Sequence, residues 1–263
     1  MIPYIGGKNY LSGWIISNFP KNYQKMQYCE VFGGGGWVLF KKEESVLETY
    51  NYLNSQLVNL FRTIRDNYEE FSHRAEWSLH SREMYTEAKE KLKDDKFLND
   101  VEKAMHSAIM RVQSFSGRGG WGYVVALDRT GSGKWLPFLK RLGAINARLK
   151  KVQIECLDFS VCINKYDTKN TLFYLDPPYV EVEHYYKTNE VNFGAVEHKK
   201  LSQVLKRIKG KFVLSYYDHP LVREFYSDYR ILEKETAKHS AGITRHTKRV
   251  TKPRGHELLI MNY

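Results

Sequence analysis

The stretch Gln27-Tyr-Cys-Glu-Val-Phe-Gly-Gly-Gly-Gly36 decides the fold class. Its first six residues predict a buried strand, the four glycines form a turn, and residues 37–42 then predict a helix. Glycines in such a turn let the backbone approach a ligand closely and leave the start of the helix facing it. The spacing differs from both the G-x-G-x-x-G and the P-loop patterns, so it favours neither NAD nor ATP.

Strands and helices alternate along most of the chain around this stretch. Further strands are predicted at 45–50, 152–157, 171–175, 211–216 and 257–262, and helices at 11–19, 54–71, 81–95, 98–115, 136–151, 197–209 and 221–226. This alternation predicts an α/β fold with a mostly parallel sheet. The helical, basic segment 55–150 interrupts it, so we expect a core of residues 1–54 and 151–263 with an inserted lobe. Asn54 is the expected N-cap of the helix that follows it.

The motif Asp176-Pro-Pro-Tyr179 closes an apolar strand, which puts it at the carboxyl edge of a parallel sheet, where α/β folds bind ligands. The prolines fix φ and carry no N–H, so their carbonyls remain as rigid acceptors. A carboxylate beside such a carbonyl can accept both hydrogens of an amino group, and the aromatic ring suits stacking on a planar base. The structural alternative is a Pro-Pro turn in which the aspartate only caps a neighbouring element.

Charge is concentrated in two segments. The chain has 263 residues and a formal net charge of +11, from 41 basic and 30 acidic side chains. Residues 111–151 hold nine basic residues against one acidic, residues 234–254 hold seven against one, and the rest of the chain sums to −3. A solvated face is one explanation of such runs, but two runs that exceed the total charge favour a nucleic acid partner.

Composition excludes several classes of protein. The mean hydropathy is −0.54, and the sequence has no apolar run of the roughly 18 residues that span a bilayer and no signal peptide. The three cysteines, Cys29, Cys156 and Cys162, are odd in number and lack C-x-x-C spacing, which predicts a reducing cytoplasm rather than disulfides or a zinc site. The histidines show no metal-ligand spacing, and Ser215 lies outside a hydrolase motif.

Taken in order, several motifs resemble those of the Dam-type DNA adenine-N6 methyltransferases, which use S-adenosyl-L-methionine (AdoMet). The similarity covers nearly the whole chain and follows the order of the family's α group. It rests on residues 4–8, 30–36, 51–54, 158–159, 176–179, 210–216 and 257–263. The resemblance implies a Rossmann-like AdoMet-dependent methyltransferase core with a mainly helical DNA-recognition insert at 55–150.

The resemblance also implies a cofactor site. The positions that would border AdoMet or receive its amino-acid part are Tyr4, Gly7, Lys8, Glu30, Phe32, Gly33, Gly34, Gly35 and Gly36. Asp158 and Phe159 would face the adenine of the cofactor. Tyr52 stands where the family carries an acidic residue that holds the ribose, so it is included as a departure from the pattern.

For the target base, the resemblance implies that Asp176 and the Pro177 carbonyl bind the N6 amino group, next to Pro178, and that Tyr179 stacks on the base. Adenine N6 is a poor nucleophile because its lone pair is delocalised into the ring, and hydrogen bonds to both N6 hydrogens stabilise the positive charge that develops during attack. The target must leave the duplex stack. The reaction requires no metal and no covalent intermediate.

The expected partner is double-stranded DNA. The candidate DNA contacts are Arg118, Trp121, Arg129, Lys134, Arg245, Lys248 and Arg249. For the arginines phosphate is the safer expectation than a base edge, and Trp121 could equally pack within a hairpin. We expect a monomer or weak dimer in the cytoplasm of a prokaryote, or phage-encoded, with no membrane association. Restriction–modification is the expected setting.

Tyr52 leaves alternatives open. Either Glu48 replaces the missing ribose-binding acid, or the cofactor binds weakly, or the chain is a DNA-binding pseudoenzyme. Methylation of a protein amide or an RNA base is disfavoured because family members that act on amides usually carry Asn at the position of Asp176. The loop from Gly117 to Lys134 does not match the hairpin of GATC-specific members, so the target sequence stays open.

Overall fold

A computed structural model describes residues 7–114, 121, 134–180, 193–237 and 254–263 of the chain. The strands are β1 Gln27–Glu30, β2 Leu47–Asn51, β3 Val152–Glu155, β4 Thr171–Leu175, β5 Lys211–Tyr217, β6 Arg230–Ala237 and β7 Arg254–Met261. The α-helices are α1 Ser12–Ser17, α2 Trp37–Lys41, α3 Ser55–Asp66, α4 Tyr68–Glu76, α5 Arg82–Asp94, α6 Asp100–Val112, α7 Trp135–Leu139, α8 Leu142–Leu149, α9 Phe159–Tyr166, α10 Ala195–Leu205 and α11 Pro220–Phe225.

All seven strands form one sheet in the order β3-β2-β1-β4-β5-β7-β6. The first five are parallel, whereas β7 runs antiparallel to both β5 and β6. The expected α/β class with a Rossmann-like, mostly parallel sheet is therefore confirmed. Because β1 and β4 are neighbours, the glycine turn after β1 and the Asp-Pro-Pro-Tyr motif after β4 lie at the same edge of the sheet.

The number of elements differs from expectation in three places. The single helix expected at 54–71 is two helices that meet at Asn67, and the one expected at 136–151 divides near Arg141. Strand β6 was not expected at all. Its sequence, Arg230-Ile-Leu-Glu-Lys-Glu-Thr-Ala237, carries little apolar patterning because it is an edge strand paired on one side only.

Two apolar clusters pack against the sheet. The larger joins β1 and β2 with helices α3 to α8, so helices of the expected insert share a core with the sheet. Asn54 caps α3 as expected, its Oδ1 accepting from the Leu57 N–H at 2.9 Å. The smaller cluster joins β4, β5 and β7 with α9 and α10. The limits of the recognition insert at 55 and 150 stay a prediction.

Within the described part of the chain, every helix is too short or too polar to cross a membrane.

Candidate active site

Strand β4 carries the Asp-Pro-Pro-Tyr motif to the centre of the sheet edge. All five residues of β4 are buried between β1 and β5, so the chain leaves the sheet at a fixed point. Asp176 is the first residue beyond the strand, and its side chain is 18% exposed. Pro177, Pro178 and Tyr179 are buried. The motif therefore forms a buried floor beneath the Asp176 carboxylate, which is its partly accessible acceptor.

Lys8 reaches this floor from the segment that precedes α1. Its Nζ lies 2.7 Å from Asp176 Oδ1 and 3.7 Å from Glu257 Oε1. The Lys8 carbonyl accepts from the backbone N–H groups of Leu11 and Ser12, which fixes the residue at the start of the helix. The sequence predicts Lys8 at the border of the cofactor, whereas the contact that the structure shows is with the Asp176 carboxylate.

Glu257 is a second buried carboxylate, which sequence reasoning did not assign to the site. It lies on β7 opposite Tyr217 of β5, and its side chain is 2% exposed. The Tyr179 hydroxyl donates to Glu257 Oε1 in a short hydrogen bond. The available signal was an acidic residue at the start of the otherwise apolar run Glu257-Leu-Leu-Ile260, since such a residue is rarely buried without a partner.

Tyr179 is held inside the protein on several sides. Its ring packs edge-on against Tyr217, with centroids 4.5 Å apart, and lies 5.5 Å from Tyr216. The Lys8 ammonium sits over the ring, 4.7 Å from its centroid. A base that stacked on Tyr179 would therefore have to share this space with Lys8.

Two carboxylates, Asp176 and Glu257, share the Lys8 ammonium. Burial raises the pKa of Asp176, although the Lys8 ammonium opposes the shift. Burial likewise raises the pKa of Glu257 to about 7, again against Lys8. The pKa of the Tyr179 hydroxyl is well above its ordinary value because of burial and the neighbouring Asp176 charge. This group of residues thus favours a ligand that donates a hydrogen bond to a carboxylate.

The glycine turn after β1 lies next to the Asp-Pro-Pro-Tyr motif after β4. Gly33 donates to the Asn51 carbonyl at 2.9 Å, and the Tyr50 hydroxyl donates to the Gly34 carbonyl at 2.7 Å. A Cβ on Gly33 would collide with the Tyr50 ring. Gly36 has a φ of +67°, which favours glycine. The turn is closely packed underneath and can carry no side chain at these positions.

Glu30 stabilises the turn from below. Its Oε2 accepts from the Leu39 N–H at 2.8 Å and from the Tyr28 hydroxyl at 2.7 Å, and the residue is 2% exposed. Burial raises its pKa to about 8. These contacts join β1 to α2, so the described role of Glu30 is to fix the turn.

An aromatic wall borders the turn on the other side. Phe32 stacks on Phe159 with centroids 5.7 Å apart, and Phe193, which sequence reasoning missed, lies 5.6 Å from Phe32 and 5.7 Å from Phe159. Asp158 caps α9 through the Ser160 N–H at 2.9 Å, and its Oδ1 lies 3.1 Å from the Lys200 Nζ. Burial raises the pKa of Asp158, but Ser160 and Lys200 lower it more, so it stays below the ordinary value.

The structure corrects the suggestion that Glu48 replaces the missing acid. Glu48 is the second residue of β2, far from its carboxyl end, and is bonded by Lys42 and by Arg148 Nη2, the latter at 2.8 Å. Its side chain is 2% exposed, so it cannot reach a ligand at the sheet edge. Tyr52 follows β2 at that edge and is half-buried against the larger apolar cluster.

Two of the candidate DNA contacts lie in the described chain. Trp121 pairs with Ser114 in an isolated bridge, stacks on His80 with centroids 5.5 Å apart and lies 4.6 Å from the Arg82 guanidinium carbon. The Lys134 Nζ donates to the Ser114 carbonyl at 3.0 Å, and burial lowers its pKa. These contacts favour packing for Trp121. The remaining site predictions, Tyr4, Arg118, Arg129, Arg245, Lys248 and Arg249, lie outside the described residues.

Comparison with known proteins shows the family of this chain. Residues 4–239 match the family described as D12 class N6 adenine-specific DNA methyltransferase. The chain is 25% identical over 281 aligned positions to the Type II methyltransferase M1.LlaDCHI of Lactococcus lactis subsp. cremoris, an alignment that covers 99% of this chain and 94% of that protein. Nothing in either match favours a pseudoenzyme.

With β1 and β4 presenting a glycine turn and an Asp-Pro-Pro-Tyr motif at one sheet edge, and with the match spanning nearly the whole chain, the protein belongs to the D12 class N6 adenine-specific DNA methyltransferases and transfers a methyl group from AdoMet to adenine N6 in DNA.

Proposed function

We propose that Asp176 and the Pro177 carbonyl bind the N6 amino group of an adenine flipped out of duplex DNA. The observation that carries this proposal is the placement of Asp176: it is partly exposed, above a buried floor, and beside the glycine turn. A carboxylate there can accept one N6 hydrogen while the carbonyl of the rigid Pro177 accepts the other. Both bonds strengthen as N6 becomes positively charged, so they stabilise the transition state more than the ground state.

The residues around the turn fit the methyl donor. When bound, AdoMet supplies an electrophilic methyl group that is transferred to N6 as the carbon–sulfur bond breaks. The glycine turn, fixed by the close packing of Gly33 on the Tyr50 ring, the Phe32–Phe159 wall and the partly exposed Asp158 carboxylate offer a rigid backbone surface, an apolar face and a hydrogen-bond acceptor. We assign the cofactor to these residues, with Tyr4, Gly7, Lys8 and Tyr52 at its border and Glu30 fixing the turn.

After transfer, N6 carries a positive charge and must lose a proton. Asp176 is the acceptor within reach, since it already bonds an N6 hydrogen in the proposed arrangement. Its carboxylate holds that proton until it passes to solvent through the exposed 18% of the side chain. No metal is invoked because the methyl donor is itself activated by its sulfonium charge.

For the DNA, we propose that the two basic segments contact phosphates of the duplex on either side of the flipped base. The candidate contacts are Arg118, Arg129, Arg245, Lys248 and Arg249. Lys134 contributes indirectly, since its Nζ is hydrogen-bonded to the Ser114 carbonyl. We further propose a monomer or weak dimer that acts in the cytoplasm of a prokaryote, or is encoded by a phage, within a restriction–modification setting.

Asp176→Ala tests the assignment. Purified protein is incubated with labelled AdoMet and mixed-sequence duplex DNA, which is then digested and analysed for N6-methyladenine. We expect turnover to fall by about three orders of magnitude or more, with DNA affinity largely kept, because the variant loses an acceptor used in the transition state.

The matched control is Asp66→Ala, which removes an exposed aspartate paired with Arg65 and should leave turnover unchanged. An Asp176→Ala variant that kept more than a tenth of wild-type turnover would contradict the proposed role.

A further inference from the structure

We propose that Glu257 is a positioning residue that receives the Lys8 ammonium when the target amino group displaces Lys8 from Asp176. Glu257 also holds the Tyr179 ring in place while the base binds. This inference rests on the proposed role of Asp176. It adds a third charged group, on β7, to the site formed by the turn after β1 and the motif after β4.

Lys8 occupies the space that the base requires. Its Nζ is hydrogen-bonded at 2.7 Å to Asp176 Oδ1, one of the two carboxylate oxygens that could receive N6. The ammonium also lies over the Tyr179 ring, 4.7 Å from the centroid of the ring on which the base is expected to stack. A base stacked on this face of the ring therefore requires Lys8 to move.

Glu257 offers this ammonium an alternative carboxylate. Its Oε1 lies 3.7 Å from the Lys8 Nζ, beyond hydrogen-bond range but within reach of a small rotation of the lysine side chain. Lys8 is 9% exposed, and an ammonium left unpaired at such a depth is strongly disfavoured. The exchange from Asp176 to Glu257 keeps Lys8 paired throughout.

The same oxygen of Glu257 accepts the Tyr179 hydroxyl. Together with the edge contact from Tyr217, this bond holds the ring beneath the space that Lys8 would leave. Glu257 thereby links the position of the Tyr179 ring to the movement of Lys8 away from Asp176.

Two substitutions separate a charge role from a shape role. Glu257→Gln keeps size and a hydrogen-bond acceptor but loses the charge, whereas Glu257→Asp keeps the charge in a shorter side chain. If Glu257 accepts Lys8, the Gln variant should lose at least tenfold in kcat while KM for mixed-sequence duplex DNA and Kd for AdoMet change less than threefold. The Asp variant should stay within about fivefold of wild type. A purely structural role predicts the opposite order, and that order would overturn the proposal.

Lys8→Met provides a second test. If Lys8 blocks Asp176 in the Gln variant, removing it should free the acceptor, so Lys8→Met/Glu257→Gln should have a higher kcat than Glu257→Gln alone at saturating AdoMet. A double variant no faster than Glu257→Gln would contradict the exchange.

Glu48→Gln is the matched control for lost stability. It also removes a carboxylate whose side chain is 2% exposed and that pairs with a lysine. Glu48 lies near the start of β2, away from the carboxyl edge of the sheet that carries the candidate site. We expect it to lower Tm and leave kcat unchanged. Wild type and Asp176→Ala are measured in parallel. An inactive wild type, or an active Asp176→Ala variant, would refute the proposed site and this inference with it, whereas an active wild type with an unaffected Glu257→Gln would refute the inference alone.

Discussion

Glu48 and Glu257 are both carboxylates with side chains 2% exposed, and both contact a lysine, yet their surroundings differ in charge. Glu48 receives two cations, Lys42 and Arg148. Burial raises the pKa of Glu48, but hydrogen bonds from Arg148 and Lys42 bring it below the ordinary value. Glu257 shares its lysine with Asp176, and its pKa is raised to about 7.

The two carboxylates differ in how fully their charge is matched. Glu48 is paired with two cations and joins the end of α2, β2 and α8, so its charge is balanced without a ligand. Asp176 and Glu257 share one ammonium, which favours a ligand that brings its own hydrogen-bond donors. Perturbed carboxylates concentrated at one edge of a sheet are typical of such sites.

The largest effect is expected from the loss of the Glu48 carboxylate. Glu48→Gln leaves the fully buried Lys42 side chain without most of its countercharge, so we expect a loss of about 3–5 kcal/mol in the free energy of unfolding. Urea denaturation measures it. Glu44→Gln, which removes an exposed partner of Lys151, is the control and should cost less than about 1 kcal/mol. Equal losses in the two variants would show that burial does not set the value of the pair.

A smaller effect, on the affinity for AdoMet, is expected from a carboxylate placed at position 52, at the carboxyl edge of the sheet. Tyr52→Asp should tighten AdoMet binding by about tenfold, because a charged acceptor for a ribose hydroxyl contributes roughly 1.5 kcal/mol or more. Isothermal titration calorimetry gives the Kd, and thermal denaturation checks that loss of the half-buried ring has not unfolded the variant. Tyr52→Phe is the control and should differ from wild type by less than about twofold. An unchanged Kd in Tyr52→Asp would mean that position 52 does not face the cofactor.

The smallest effect is in the pH dependence of stability. The pKa of Glu257 is about 7 in the folded protein and near 4.3 in an unfolded chain, so between these values the folded state binds more protons. Lowering the pH from 8 to 6 should therefore raise the free energy of unfolding through this group by about 1 kcal/mol, and Glu257→Gln should lack that contribution.

Glu48 provides the contrast in the same measurement. Because its folded pKa is below the ordinary value, its contribution is already complete above about pH 5 and is lost only at lower pH. The difference between wild type and Glu48→Gln should therefore stay constant from pH 8 to 6. Parallel curves for wild type and Glu257→Gln over that interval would argue against a raised pKa for Glu257.

The sequence contained enough to predict the central sheet and the two motifs at its edge. Strands β1 and β4 lie in short buried stretches that are followed by Gly33 and Asp176, and a short buried run bounded by a turn signal is typical of a strand. Strand β6 was missed because an edge strand needs no apolar face, and the break at Asn67 because the apolar spacing continues on both sides of it.

The candidate site was predictable where its residues stand in recognisable motifs. Asp176, the prolines and Tyr179 form one motif, and the glycine turn another, so the sequence predicts both. Glu257 of β7, Lys200 of α10 and Phe193, which precedes α10, come close to these motifs only through the packing of those elements. The interpretation of Glu48 failed for the same reason, since proximity in sequence to Tyr52 says little about position along a strand.

By itself, then, the sequence predicted the fold class, the methyl-transfer chemistry and Asp176 as the candidate acceptor for N6, because these depend on local runs of residue types. The tertiary structure alone decided which charges meet: that Lys8 reaches Asp176, that Glu257 lies 3.7 Å from Lys8, and that Glu48 is already paired. Such pairings join residues up to 249 positions apart, and only the tertiary fold brings them within ion-pair range.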